Sequence, residues 1–440
     1  MKSNSFNAFA TAVASAVAIS ALAAPVVDNV TMEQNRSDRR VTISYTLANE
    51  PGVITVDIQT NAVAEGEAKW VSIGVENLQG FGGDVYRVIQ TTADDETRTI
   101  HWNPDKAWPG TRADAANVRA VVTAWATNAP PDYCVVHLVS PYDVTYYPCK
   151  ELLPGGIADK RYKGEYMAFR KIPAAGVTWW AGTVNYPFGK RHQVLLTEDY
   201  YMAVYELTHS QWTAIDTGTP SNIRRPLSGW GWGRNNYRGS DLGAKWPTFN
   251  ADGSFDYETS HAVDPRSPLG ILRGRSGLQF DLPTEAQWEY AARAGSPGES
   301  YTDEILTSAT TAAGLQPIAR FYTNRKEADC EGQVMEGGGM AAVGSYLPNA
   351  WGLYDVLGNA SEICLDRKQS FEELYPDDSR VYVDPVGPSD GTFCMSRGRS
   401  YEVPHGSGDW SVSIGARGAS VGLASTSDSA IGARFCINLR

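Results

Sequence analysis

Two acidic side chains in the last third of this 440-residue chain have the spacing of a cation site. Asp355 and Glu362 lie seven residues apart, with the flexible pair Gly358-Asn359 between them. A calcium ion takes about six to eight oxygen ligands from carboxylates, carbonyls and water, so a chain that turns at glycine can bend two carboxylates round one ion. We therefore expect a structural Ca²⁺ here. The alternative is that Glu362 caps a turn while Asp355 faces solvent.

The cysteines are the other residues with metal or redox chemistry: Cys134, Cys149, Cys330, Cys364, Cys394 and Cys436. None forms a C-x-x-C pair, and no two histidines have H-x-x-x-H spacing, so local spacing does not predict a zinc or iron site. An even number of cysteines in an exported chain favours disulfides, although six cysteines allow many pairings. Cys134 and Cys149 would close a short loop, and we predict that this pair is bonded.

Clustered aromatic rings suggest a binding groove. Trp179 and Trp180 are adjacent, and a glycine-rich stretch contains Trp230, Trp232 and Tyr237. Aromatic faces bind sugars and peptides well, so these rings can line a groove. The alternative is that they fill the core, where large aromatic side chains usually lie.

A short helix within residues 282–295 is the element most clearly specified by the sequence. Thr284 suits the N-cap, and Gln287 has the spacing that completes a capping box. Gly295 can adopt the left-handed conformation that ends a helix. Glu289 and Arg293 are four residues apart in the order that favours an ion pair, and we expect them to be structural partners.

The N-terminus has the pattern of an export signal. Lys2 precedes an alanine-rich apolar run that ends in Ala21-Leu22-Ala23, so we expect a signal peptide of residues 1–24 and a periplasmic, extracellular or cell-surface protein. A membrane anchor is the alternative, and no later segment is apolar enough to span a bilayer. The net charge of -12 argues against a nucleic-acid partner, because phosphate binding needs a basic face.

The chain divides into two folded regions by composition. Residues 25–128 contain short alternating runs, such as 41–47, that predict an all-β sandwich of immunoglobulin or fibronectin type III style. Pro130-Pro131 marks a boundary, and we expect residues 129–164 to be a linker. Residues 165–440 combine short helices with many Gly- and Pro-rich loops, which is typical of an irregular α+β domain.

Three strings in this second region resemble the formylglycine-generating enzyme (sulfatase-modifying factor) family, in the same order. They are Leu282-Pro283-Thr284-Glu285-Ala286-Gln287-Trp288-Glu289, then Gly352-Leu353-Tyr354-Asp355 with Gly358-Asn359 and Glu362, and finally Gly432-Ala433-Arg434-Phe435-Cys436. The resemblance covers about residues 165–440. It implies an α+β domain with a C-type-lectin-like fold.

The resemblance also implies how metals would be bound. Members of the family hold Ca²⁺ through a side-chain oxygen, two carbonyls and a glutamate, and the matching positions here are Asp355, Gly358, Ala360 and Glu362. A second calcium site of the family uses an asparagine that is replaced here by Arg320, so we do not expect that site.

The family's copper ion is bound by two cysteines that follow a Gly-Ser-Tyr motif. Arg399-Ser400-Tyr401 matches the motif, but the two cysteine positions hold Val403 and Gly408. Neither side chain can ligate a metal ion, so copper is not expected.

We therefore expect an exported, atypical member of the family that binds a protein or glycan ligand. The residues that could contact this ligand, the last three of which fall where the family's substrate cleft lies, are Trp230, Trp232, Tyr237, His405, Asp409 and Arg417. For His405, Asp409 and Arg417 the alternative, which the residue types favour, is a solvated loop. One alternative is a metal-dependent oxidoreductase that converts a substrate cysteine to formylglycine during sulfatase maturation. Another is a structural cell-surface module.

Overall fold

A computed structural model describes residues 23–63, 66–92, 96–111, 113–183, 190–228, 233–241, 245–298, 300–301, 314–402, 413–418, 420–423 and 429–440. The expected signal peptide lies outside these ranges except for its last two residues. Four of the expected ligand-binding residues also lie outside them, namely Trp230, Trp232, His405 and Asp409.

The N-terminal region forms two antiparallel sheets. Their strands are β1 (Val26–Gln34), β2 (Val41–Ala48), β3 (Gly52–Asn61), β4 (Trp70–Ser72), β5 (Gly82–Gly83), β6 (Val88–Ile89), β7 (Arg98–Trp102) and β8 (Val118–Ala126), with a short helix α1 (Pro104–Ala107) between β7 and β8. One sheet has the order β1-β2-β7-β5, and the other has β4-β3-β6 with β8 paired to β3. The alternation read from the sequence is confirmed in β2, where every second side chain is buried.

The second region combines many short strands with short helices, which confirms a mixed α+β class. Its strands are β9 (Tyr133–His137), β10 (Val144–Tyr147), β11 (Tyr166–Ile172), β12 (Val177–Ala181), β13 (His192–Leu196), β14 (Tyr200–Ala203), β15 (Gln279–Asp281), β16 (Ser361–Arg367), β17 (Val381–Val383), β18 (Phe393–Arg397), β19 (Ser420–Gly422), β20 (Ile431–Gly432) and β21 (Cys436–Asn438). Its helices are α2 (His209–Thr217), α3 (Arg234–Arg238), α4 (Tyr257–Ser260), α5 (Pro268–Ser276), α6 (Glu285–Arg293) and α7 (Phe371–Leu374). None of the helices in the described ranges is both long and apolar enough to cross a membrane.

The largest sheet includes part of the segment that we expected to be a linker. Its strand order is β10-β9-β11-β14-β21-β15, so residues 129–164 contribute the two strands β9 and β10. One hydrophobic cluster contains Ile43 and Ile54 of the N-terminal sheets together with Tyr133 and Val135 of the large sheet and Val204, which follows β14. The two regions therefore pack directly on each other, and this segment is a buried part of the fold rather than an exposed connection.

Helix α6 begins where the sequence predicts. The Thr284 hydroxyl accepts a hydrogen bond from the Gln287 amide (3.1 Å), and the Gln287 side chain accepts one from the Thr284 amide (3.0 Å). The helix ends at Ala294, whose φ of 46° is left-handed, one residue before the predicted stop at Gly295. Trp288 packs from this helix into the core that also contains Leu353. The helix is thus held at both ends and along one face.

The structure does not contain the predicted disulfide. All six cysteines are unbonded. Cys134 points into one hydrophobic cluster, whereas Cys149 packs against the cluster on the other face of the sheet. Cys134 lies on β9 whereas Cys149 follows β10, and because their side chains contact different hydrophobic clusters, the two thiols are not bonded in this structure.

Candidate functional site

Helix α6 carries two buried carboxylates into a group of three arginines. Glu289 accepts hydrogen bonds from Arg293 Nε (2.8 Å) and Nη2 (2.6 Å), and its second oxygen accepts one from Arg397. Glu285 accepts one from Arg417 Nε (2.9 Å) and another from the same guanidinium. Every one of these charges has an opposite charge beside it, so the helix presents no free acid or base.

The ion pair between Glu289 and Arg293 confirms the structural role expected for these residues. Burial acts to raise the pKa of Glu289, but Arg293 and then Arg397 hold it below its usual value. The same carboxylate accepts a hydrogen bond from the Gly182 amide (2.7 Å), while Arg293 donates to the Gly182 carbonyl (2.6 Å). The cluster therefore joins α6 to the end of β12 and to β18.

Arg417, one of the expected ligand-binding residues, lies within this cluster. Its guanidinium is paired with Glu285 and donates to the Gln369 carbonyl, and its side chain is 11% exposed. Its charge is compensated inside the protein, so in this structure it is a structural partner of α6 rather than an open contact for a ligand.

A further carboxylate is buried at the start of α6. Asp366 accepts a hydrogen bond from the Glu285 amide (2.7 Å) at the positive end of the helix. Burial, and next the charge of Glu285, raise the pKa of Asp366 to about 7. Because Asp366 lies in β16, far from α6 in sequence, no local pattern indicated this contact.

The unfolding free energy should fall as pH rises from 3.8 to about 7, since folded Asp366 keeps its proton in this window while the unfolded chain releases it. Asp355, whose pKa burial raises to about 6, adds to this slope. Asp366→Asn keeps an acceptor for the Glu285 amide and should flatten the slope, measured by urea unfolding between pH 5 and about 7.5. Asp378→Asn, at a 70% exposed side chain, is the control. Equal slopes in wild type and Asp366→Asn would contradict the assignment.

The thiols in the core of the second region are shielded from solvent. Cys364, Cys394 and Cys436 are each fully buried. Burial raises the pKa of Cys394 to about 11 and the pKa values of Cys364 and Cys436 further above the usual range. Because the thiolate is the form that attacks substrates and binds metals, these three side chains are unreactive in this structure.

The segment predicted to bind calcium leaves one carboxylate oxygen without a partner. Asp355 is buried, its Oδ2 accepts a hydrogen bond from the Gly344 amide (2.5 Å), and its Oδ1 has no hydrogen-bond partner. Glu362 is different. Its Oε1 accepts from Arg434 Nη2 (2.7 Å) and Nε (3.0 Å), and its Oε2 accepts from the same Nε (3.0 Å) and from Trp288 Nε1 (2.5 Å). One oxygen of Asp355 is therefore open to a further donor or a cation, whereas Arg434 and Trp288 occupy the acceptor positions of Glu362.

Glu206 joins this group from a distant part of the sequence. It is fully buried and accepts hydrogen bonds from the Asn359 side chain (2.6 Å) and the Ala360 amide (2.9 Å). Burial, followed by the charges of Asp355 and Glu362, raises its pKa well above the usual range. Among the described residues, no three histidine, cysteine, aspartate or glutamate side chains converge as a metal site would require.

Arg320, at the position that departs from the family's second calcium site, is almost completely buried (1% exposed). Its guanidinium donates to the backbone carbonyls of Gly339 (2.9 Å), Glu327 (2.9 Å) and Arg325 (2.6 Å). Its own carbonyl accepts from the Asn359 amide (2.7 Å). Arg320 therefore gathers three loop carbonyls round one positive charge, beside the predicted calcium turn.

The aromatic residues separate into core and surface. Tyr237, an expected ligand-binding residue, is fully buried with its ring edge-on to Phe435, so that expectation is wrong and the residue belongs to the core. Trp246 is 1% exposed and also lies in the core. Trp180, in contrast, is exposed on β12. Of the aromatic residues in the glycine-rich stretch, the structure describes Tyr237 alone, and its ring is buried.

Comparison with known proteins gives one family match. A family described as "Sulfatase-modifying factor enzyme 1-like domain" matches residues 176–418, which is more than half of the chain. The matched range includes α6, the Asp355–Glu362 turn and the Arg399-Ser400-Tyr401 motif, and it ends before Arg434.

Curated relatives match over a shorter part. The chain is 37% identical over 122 residues to a formylglycine-generating enzyme of Streptomyces coelicolor, and 33% identical over 123 residues to one of Thermomonospora curvata. Each alignment covers 27% of this chain and 35% or 38% of the relative, so the chain spans little more than a third of either enzyme. Among solved structures, Treponema denticola variable protein 1 is similar, with 21% identity, a TM-score of 0.41, and coverage of 62% of this chain and 95% of that chain.

Proposed function

The chain belongs to the sulfatase-modifying factor enzyme 1-like family, and we propose that it is an atypical member that binds a protein or glycan ligand instead of oxidising a substrate cysteine. One observation carries this proposal. The positions of the family's copper-binding cysteine pair hold Val403 and Gly408, and the core thiols Cys364, Cys394 and Cys436 are buried and protonated. A soft metal ion such as Cu(I) needs accessible thiolates, so neither the two family positions nor these three core thiols support copper binding.

The rest of the proposal concerns how the domain is presented. We propose that residues 1–24 direct export and that the N-terminal sheets are an immunoglobulin- or fibronectin-like sandwich that carries the ligand-binding domain at the cell surface, in the periplasm or outside the cell. The two-sheet arrangement with a shared core supports the sandwich. No nucleic-acid partner is expected, because the net charge is -12.

A direct activity assay tests this function. The purified protein is incubated with a cysteine peptide from a sulfatase, copper and oxygen, and the peptide is analysed by mass spectrometry. We expect no conversion, while the Streptomyces coelicolor formylglycine-generating enzyme serves as the positive control. Conversion of the cysteine to formylglycine would establish the oxidoreductase instead. A screen on a glycan array and against exported proteins should then find a ligand, and a complete absence of binding would favour the structural cell-surface module.

We also propose that a structural Ca²⁺ binds at Asp355, with the carbonyls of Gly358 and Ala360, next to Glu362. The unpartnered Oδ1 of Asp355 supports this proposal, because a buried oxygen without a partner is costly unless a cation or donor satisfies it. An ion that binds only the folded state stabilises it. Chelation should therefore lower the melting temperature, and added Ca²⁺ should restore it.

The control variant for the calcium proposal changes Asp355, the carboxylate with an oxygen that has no hydrogen-bond partner. Asp355→Asn should make the melting temperature insensitive to chelator. Glu362→Ala is a poorer choice, since it also leaves Arg434 without its partner. Identical melting of the wild type with and without chelator would refute the calcium proposal and leave the binding proposal intact.

A further inference from the structure

A small cavity lies between the end of β12 and the end of α6. Its volume is about 210 Å³, and its walls include Trp179, Trp180, Arg191, Tyr290 and Ser296. Pockets for drug-sized ligands measure about 300–1,000 Å³, so this cavity suits a smaller unit. It lies beside the Glu289 cluster, because Arg293 also lines it.

The aromatic wall of the cavity is held in place. The Trp179 ring lies 5.2 Å from the Tyr290 ring, and Tyr290 is contacted at 5.2 Å by Trp351. The Tyr290 hydroxyl donates to the Pro173 carbonyl (2.9 Å), which fixes the ring. A wall that is already ordered loses little conformational entropy when a ligand binds.

Trp180 gives the cavity a partly exposed apolar ring, with the Arg191 guanidinium over one of its faces. It is 42% exposed, and it is the one exposed tryptophan among those that the structure describes. An exposed indole offers a flat surface on which the C–H face of a sugar ring can stack, and it also has a polar edge.

Arg191 gives the cavity an exposed positive charge. Its guanidinium carbon lies 4.8 Å from the centre of the Trp180 ring. It is exposed, and in the described ranges no carboxylate forms an ion pair with it. Arg293, the other guanidinium in the wall, is neutralised by Glu289 at 2.6 Å. The exposed guanidinium of Arg191 can therefore contact a ligand. A guanidinium binds carboxylates and other planar or tetrahedral anions with charge-assisted hydrogen bonds.

We propose that this cavity binds a single sugar unit that carries an anionic group, with the ring on Trp180 and the anion on Arg191. The inference rests on the proposed ligand-binding function and names its site and its ligand class. A carboxylate, as in a uronic acid, and a sulfate ester share the required chemistry. The charge of Arg191 selects such units over neutral sugars of the same size, and added salt weakens the contact because it screens an exposed charge.

The test uses the full chain and three matched sugars: methyl glucuronide, glucose 6-sulfate and the neutral methyl glucoside. Binding is followed by ligand-observed NMR and by tryptophan fluorescence. At least one anionic sugar should bind about tenfold tighter than the neutral one, the effect expected of a charge-assisted hydrogen bond. The comparison of the two anionic sugars distinguishes carboxylate from sulfate.

Variants then separate the two contacts. Trp180→Ala should abolish binding, Arg191→Gln should remove the preference for the anion, and Arg191→Lys should retain part of it. Trp70→Ala is the matched control, because Trp70 stacks with Arg119 at 4.5 Å outside the cavity and should not affect binding. Both cavity residues are exposed, so the melting temperatures of these variants should match that of the wild type.

Three results would overturn the inference: equal affinity for charged and neutral sugars, no binding of any of the three, or binding that survives Trp180→Ala. A nucleoside monophosphate that binds better than both anionic sugars would also overturn it. These failures differ from failure of the proposed function. Glycan-array binding that is insensitive to Trp180→Ala removes only this site, whereas conversion of the cysteine peptide removes the proposed function.

Discussion

Glu289→Gln is expected to lower the free energy of unfolding by about 3–5 kcal/mol, the usual loss when one partner of a buried ion pair is removed. Glu289 is the common acceptor for Arg293 and Arg397, and both arginines are buried. The neutral amide cannot balance two guanidinium charges, so at least one remains buried without a counter-charge. Urea unfolding followed by tryptophan fluorescence measures the loss.

The matched control removes the same charge at the surface. Asp378 pairs with Lys190 at 2.7 Å, but its side chain is 70% exposed. Exposed pairs contribute little because water and salt screen them, so Asp378→Asn should have a much smaller effect. If the two variants lost the same stability, the cluster at α6 would not have the role assigned to it.

Arg434→Met should cause a loss of similar size, about 3–5 kcal/mol. Arg434 is 1% exposed, and its charge interacts with three buried carboxylates, Glu206, Asp355 and Glu362. It also donates to the carbonyls of Ala203 and Val204 at 3.0 Å each, so its removal leaves backbone acceptors unsatisfied as well. Unfolding in urea at neutral pH checks the expected value.

A double variant tests whether the loss comes from charge. Adding Glu362→Gln to Arg434→Met removes the carboxylate that the single variant leaves unpaired, and this should recover part of the lost stability. Replacing both partners of a buried ion pair destabilises a protein less than removing one of them. If the loss of stability in the double variant equalled the sum of the losses in the two single variants, a direct interaction between Arg434 and Glu362 would be contradicted. Arg434→Met also frees the oxygens of Glu362, so it should raise any affinity for Ca²⁺ at Asp355.

Local signals in the sequence predicted local structure well. The capping box of α6 depends on residues three apart, Thr284 and Gln287, and it is present with both hydrogen bonds. The alternation in β2 correctly predicted which side chains face the core. Such features follow from the geometry of one element, so the sequence of that element is sufficient to predict them.

Features that depend on distant residues were missed. Glu206 and Asp366 reach their sites through the packing of strands that are far apart in the chain, and neither has a neighbouring motif. Pro130-Pro131 suggested an exposed linker, but the residues after it pair as β9 with β11. Whether a segment pairs as a strand depends on the partner strand, which is distant in sequence. The pairing of β9 with β11 also determines which face of the sheet the Cys134 side chain occupies.

Arg320 has a consequence for the conditions under which one loop of this protein remains ordered. Three loop carbonyls, those of Gly339, Glu327 and Arg325, accept hydrogen bonds from a cation that is covalently part of the chain. A bound ion leaves when its free concentration falls, whereas a tethered guanidinium has a fixed effective concentration and cannot be diluted away. The order of this loop is therefore independent of mineral supply, and it should persist in metal-poor surroundings and in the presence of natural chelators.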